Sequence, residues 1–160
     1  MYNFRFSVPT TIYFGKGQIS HLAEPAQYGS KVLLVYGGGS IKRNGIYDTA
    51  MKILGDAGVS VTELSGVEPN PRIETVRKGV ELCKTQSIDM VLAIGGGSTI
   101  DCAKVVAAGA LYDGDAWDLV IDPAKIKKAL PIFSVLTLSA TGSEMDAFAV
   151  ISDMTKNEIH

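Results

Sequence analysis

Two apolar runs of strand length each break into three glycines and a serine and then resume as helix, giving "LLVYGGGSIKRNG" and "VLAIGGGSTIDCAK". This echo restricts the fold more than any other feature. A run that stays apolar instead of alternating is a strand covered on both faces, and a strand that passes straight into a helix belongs to a mostly parallel sheet. The rest of the chain keeps the same rhythm. "KVLLVY" is followed by the helical "GIYDTAMKILGDAG", which stops at Gly58, and "VSVTELS" reads as the next strand. Pro69, Asn70 and Pro71 then make a loop, after which Ile73, Val76, Val80 and Cys83 recur on one helical face. "DMVLAI" leads to the second set of glycines, and the following helix, ending near Gly114, carries Ala103, Val106, Ala107 and Ala110 toward the sheet. "LPIFSVLTL" is a further strand and "FAVIS", Phe148 to Ser152, one more. Residues Phe4 to Phe14 read as a short β hairpin entering the domain. The expected fold is α/β: a doubly wound, mostly parallel, Rossmann-like sheet filling residues 1–160 as one domain.

Both glycine loops fall at strand carboxyl ends, the edge where open α/β sheets bind ligands. Gly95, Gly96 and Gly97 remove every Cβ from the turn, so peptide N–H groups and the helix dipole can face an anion such as a phosphate or pyrophosphate. The run is neither G-x-G-x-x-G, since Ile100 stands where a third glycine is needed, nor a Walker loop. Ser98 and Asp101 have the spacing of a capping box. Alternatively, Ser98 offers its hydroxyl to the phosphate and Asp101 reaches a ribose hydroxyl or an amide of the ligand. Lys104, one turn on, reads as a solvated helix lysine. At the first loop, Gly37 to Ser40 present no acid to a ribose 2′-hydroxyl, and Lys42 and Arg43 follow, a pattern that favours NADP unless that basic pair is merely solvated. A third loop, "LTLSATGSEMDAFAVISD", crowds hydroxyls from Thr137, Ser139, Thr141 and Ser143 into one turn, with Asp146 a weaker candidate.

Composition narrows the function classes. The net charge of −2, from 15 basic and 17 acidic residues, gives no field to hold nucleic acid or an anionic membrane. Cys83 and Cys102 form no C-x-x-C pair, and His21 and His160 are the only histidines, so neither a metal cluster nor a Ser-His-Asp arrangement can be assembled within the chain. Reduced, buried cysteines and the lack of a signal-like start lead to the expectation of a cytoplasmic protein. No catalytic group is assigned.

Taken in order, "VEPNP", "GGGSTIDCAK" and "ATGSEMDAFAVISD" resemble the iron-containing (group III) alcohol dehydrogenase family, and "YGGGSIKRNG" resembles its NADPH-dependent butanol dehydrogenase and aldehyde reductase branch. The resemblance covers nearly the whole chain. It implies an amino-terminal dinucleotide domain, a helical metal-binding domain absent from this chain, and Fe2+ or Zn2+ held by an aspartate and histidines on that second domain. It also implies that Gly38, Gly39 and Ser40 hold the adenosine ribose or its phosphate, with Asn70 nearby. Gly95, Gly96, Gly97 and Ser98 would cradle the pyrophosphate, with Asp101 toward the nicotinamide. Thr137, Ser139, Thr141 and Asp146 would line the nicotinamide pocket. Relatives often place a cofactor-contacting lysine about where Ile159 and His160 stand, which leaves Lys156 as the nearby substitute. The implied reaction is hydride transfer between NADPH, or NADH as the alternative, and an aldehyde or primary alcohol, by a homodimer whose cofactor half is inactive alone. Competing expectations are a glycerol dehydrogenase, a dehydroquinate-synthase-like lyase and a stand-alone nucleotide-binding module.

Overall fold

The structure is a computed structural model that describes residues 8–155 and 158–160. A 3-10 helix over Gln18–Gln27 precedes β1 (Lys31–Tyr36), α1 (Ser40–Arg43), α2 (Ile46–Asp56), β2 (Ser60–Leu64), α3 (Ile73–Gln86), β3 (Met90–Gly95), α4 (Gly97–Gly109), α5 (Ala116–Ile121) and β4 (Ile132–Leu136). Near the carboxyl end, β5 (Ser152–Asp153) pairs antiparallel with β6 (Glu158–Ile159). The four long strands form one parallel sheet in the order β2-β1-β3-β4. From β1 the chain moves outward to β2 and then returns past β1 to β3. Strand order therefore reverses between β1 and β3, and a crevice opens at their carboxyl ends.

Alternate residues of the central strands enter two separate cores. Leu33, Val35, Val91 and Ala93 join Ile73, Val76, Val80, Ala103 and Val106 of α3 and α4 on one face. Val32, Leu34, Met90, Leu92 and Ile94 join Leu22, Ile41, Ala50 and Leu54 on the other. The doubly wound α/β expectation is thus met in a domain with helices on both faces. Burying one such aliphatic side chain contributes about 1.5–3 kcal/mol, against at most about 0.7 kcal/mol for an ordinary residue's helix propensity, so packing fixes which segments become strands.

Three expectations differ from the structure. Phe148 to Ser152 is not a strand: only Ser152 takes strand geometry, and Ile151 exchanges backbone bonds with His160 at 2.7 and 3.1 Å. α4 ends at Gly109, well before Gly114, and the residues beyond it turn into α5, whose cap Asp115 accepts from the Trp117 N–H at 2.9 Å. Of the expected entering hairpin, residues 8–14 carry no strand, and the remainder lies outside the described residues, as does Lys156.

Both cysteines are free and buried, and burial pushes each thiol up to about 12. A thiol is reactive only as thiolate. We expect neither Cys83 nor Cys102 to react with a disulfide reagent at pH 8 in the folded chain, and both to react on denaturation. Rapid native-state labelling of either would contradict this burial.

Candidate functional site

Three loops leave neighbouring strands at the reversal. The second of them is built on peptide groups. Gly96 holds the N-cap position of α4 with extended backbone, and the N–H groups of Thr99 and Ile100 both donate to its carbonyl at 3.0 and 3.2 Å. No side chain caps this terminus and no acid occupies its first turn. The opening amides and the positive end of the helix dipole are thus presented without a competing carboxylate. A Cβ on Gly95 would stand 2.4 Å from Thr99 Oγ1, so this strand end passes the first helical turn more closely than any side chain permits.

With Gly96 as the cap, Asp101 is the fifth helical residue, too far along to reach back. The expected Ser98–Asp101 capping box is therefore not formed. Asp101 instead fastens the third loop. Its Oδ1 accepts from the Ser143 hydroxyl at 2.6 Å and its Oδ2 from the Val150 N–H at 3.2 Å. Lys104 is not a solvated lysine either: it is 16% exposed, and Nζ donates to Asp146 Oδ1 at 2.9 Å and to the Phe148 carbonyl at 2.6 Å. The Lys104 hydrogen bond, with that from the Phe148 N–H and the lysine's charge, holds the Asp146 carboxyl below its ordinary range. The same Lys104 Nζ lies 4.0 Å from Asp101 Oδ1.

So fastened, the third loop lies along the glycines. The Thr137 N–H donates to the Gly95 carbonyl at 2.9 Å, and Thr141 Oγ1 sits 3.0 Å from where a Cβ on Gly97 would stand. Thr137, Ser139 and Thr141 are exposed, whereas Ser143 is buried against Asp101.

The first loop borders a cavity of about 320 Å³ lined by Tyr36, Gly37, Gly38, Gly39, Lys42, Ser65 and Gly66. Gly39 takes the left-handed conformation, with φ 91°, that lets β1 turn sharply into α1. A Cβ on Gly38 or Gly39 would meet no described atom within 4 Å, so this backbone is open to a ligand. Ser40 opens α1 at the surface, and Asn70 holds a left-handed φ of 56°; neither belongs to the cavity lining.

An acid does stand beside this loop, contrary to the reading of Gly37 to Ser40 alone. It is Glu63 of β2, whose Oε2 lies 3.5 Å from Lys42 Nζ. Tyr36 donates to Oε2 and Tyr47 to Oε1, each at 2.5 Å. These two hydroxyls, then Lys42, hold the Glu63 carboxyl below its ordinary range despite partial burial. Lys42 Nζ also lies 4.4 Å from the Tyr47 ring centroid and 5.2 Å from that of Tyr36, within cation–π reach. Glu63 escapes any search for an acid confined to the end of the first strand. The available signal was the strand "VTEL" itself, since dinucleotide domains often carry their ribose acid near the end of the second strand.

Among the described residues no group of three or more His, Cys, Asp or Glu side chains could hold a metal ion, and no helix is long and apolar enough to cross a membrane. The family model for iron-containing alcohol dehydrogenases matches residues 9–160. This chain belongs to that family. It is 64% identical over 159 residues to NADH-dependent butanol dehydrogenase A of Clostridium acetobutylicum, covering 99% of this chain and 41% of that protein. It is 44% identical over 161 residues to the NADPH-dependent aldehyde reductase YqhD of Escherichia coli, again covering 99% of this chain and 41% of the relative. The crystal structure of NADH-dependent butanol dehydrogenase A from Thermotoga maritima superposes with a TM-score of 0.95 at 49% identity, over all of this chain and 41% of that one. The chain thus spans about two fifths of the length of these iron-containing alcohol dehydrogenases.

Proposed function

We propose that this chain is the cofactor-binding part of an alcohol dehydrogenase that transfers hydride between a nicotinamide dinucleotide and a small aldehyde or primary alcohol. The observation that carries this reading is the pair of open glycine loops on either side of the β1/β3 reversal. One borders a cavity and the other heads a 13-residue helix with no acid in its first turn. A dinucleotide fits both, because it has an adenosine at one end and a pyrophosphate in the middle.

In this reading Gly38 and Gly39 admit the adenosine ribose, and the amides at Gly95, Gly96, Gly97 and Ser98 hold the pyrophosphate. Thr137, Ser139 and Thr141 border the nicotinamide, with their loop held in place by Asp101 and Asp146. The two carboxylates thereby act on the site through the loop. Ser40 and Asn70 approach the adenosine only at its rim. A bound nicotinamide would supply the hydride acceptor or donor; the chain's contribution is to hold that group beside Thr137, Ser139 and Thr141.

The family name implies a metal, for which the described residues offer no ligand set. The ligands of an Fe2+ or Zn2+ ion are assigned to the part of the relatives that this chain does not span. The proposal also includes a cytoplasmic setting and a homodimer.

Of the two cofactors we favour NADH. Lys42 is tied to Glu63 and is not a free cation, and the 64% identical relative carries an NADH-dependent name. This replaces the NADP preference read from Lys42 and Arg43 alone. Titrating the chain while following the cofactor's fluorescence should give tighter binding of NADH than of NADPH, by about three- to tenfold. Tighter NADPH binding would reverse the preference, and binding of neither would remove the cofactor reading itself.

A further inference from the structure

We propose that Glu63, acting through Lys42, sets which nicotinamide dinucleotide the adenosine end accepts. The inference rests on reading the cavity beside Gly37 to Gly39 as the adenosine end. Lys42 is the one charged residue among those that line it. A cation there would by itself favour a 2′-phosphate, which carries close to two negative charges at neutral pH. Yet Glu63 Oε2 lies 3.5 Å from Nζ, so the charge that faces the cavity is largely compensated.

Glu63 is poorly placed to bind the ribose itself. Both of its carboxylate oxygens are engaged by tyrosine hydroxyls, Oε2 by Tyr36 and Oε1 by Tyr47, and the residue is not part of the cavity lining. Swinging outward to meet a 2′-hydroxyl would break two charge-assisted hydrogen bonds. It therefore acts as a fixed negative charge behind the lysine, a positioning residue that never touches the ligand. The two tyrosine rings bracket the ammonium and limit the positions it can take relative to that charge. A neutral 2′-hydroxyl is indifferent to this arrangement. A 2′-phosphate meets a neutralised cation with a carboxylate behind it.

The test is the ratio of two dissociation constants, Kd for NADPH over Kd for NADH, in the wild-type chain and in Glu63→Gln. The amide removes the charge and keeps an oxygen for one tyrosine, while its NH2 group can donate to the hydroxyl of the other. The ratio should fall by about five- to tenfold, through tighter NADPH binding, with NADH changed by less than about twofold. The shift should vanish near 1 M salt, where the screening length is about 3 Å. The adenosine fragments 2′,5′-ADP and 5′-AMP should repeat the shift without the nicotinamide.

Should Glu63→Gln melt early, Lys42→Gln tests the same pairing with opposite sign. It exposes the carboxylate, so the ratio should rise by about five- to tenfold and fall back as salt screens the repulsion, whereas loss of the cation alone would leave NADPH binding with no repulsion for salt to relieve. A ratio that stays within twofold of wild type in the folded variant, with both cofactors still bound, overturns the role of Glu63. A wild-type chain that binds neither cofactor nor either fragment overturns the reading of the cavity instead, and the two failures are told apart by that first titration.

Discussion

Replacing Gly95 with alanine should lower stability by about 1–3 kcal/mol and weaken cofactor binding by at least about tenfold. The added Cβ would stand 2.4 Å from Thr99 Oγ1 and 2.8 Å from Thr99 Cβ, and Thr99 is itself buried in the first turn of α4. Because Thr99 Cβ itself stands within 2.8 Å, no rotation of that side chain relieves the contact, and relief has to come from backbone movement. That movement would shift the amides at the head of α4 away from the line set by β3. The checks are a thermal melt and a cofactor titration of the same variant. Because the clash is with one side chain, pairing Gly95→Ala with Thr99→Gly should cost less than the sum of the two single changes. Strict additivity would show that the tight approach is not what requires glycine here.

Asp101→Ala should be as damaging by a different route. It removes an acceptor from the buried Ser143 hydroxyl and from the Val150 N–H, and it strips Lys104 of a carboxylate 4.0 Å away. Asp101 is only 16% exposed, and hydrogen bonds to a charged group contribute about 1.5–3 kcal/mol, so a loss of about 2–3 kcal/mol is expected. The distinctive effect is local. Hydrogen exchange should rise across residues 139–150 while the amides of β1 and β3 stay protected. A uniform rise across the sheet, or none in the loop, would contradict the role of Asp101 as its fastener.

The contrast between these two positions indicates what the sequence could disclose. Gly95 was legible: an apolar run that ends in glycines and restarts as helix has few other meanings, and β1 and β3 were both found by that pattern, while β2 and β4 were read as further runs of strand length. Asp101 was legible as a residue of interest, read either as half of a capping box or as a ligand contact, but not as the fastener of a distant loop. Its partners Ser143 and Val150 lie 42 and 49 positions away, and no local spacing encodes them. Glu63 was overlooked for a related reason. Its neighbours Tyr36, Lys42 and Tyr47 come together only because β1 and β2 pair in parallel with Leu34 opposite Glu63. The short apolar stretch Phe148 to Ile151 looked like a strand because its residues favour one, yet the Phe148 and Val150 backbone groups bond the side chains of Lys104, Asp146 and Asp101, and of these described residues Ile151 alone pairs with backbone, at His160.

The alternation of the central strands between two cores carries a consequence for how such a chain can change over generations. Neighbouring positions on β1, such as Leu33 and Leu34, belong to different packing problems: one is solved together with α3 and α4, the other with α2 and Ile41. The sheet acts as a partition wall. Compensating substitutions need be sought only on the side where the first one occurred, so each compartment can be repacked without disturbing the other.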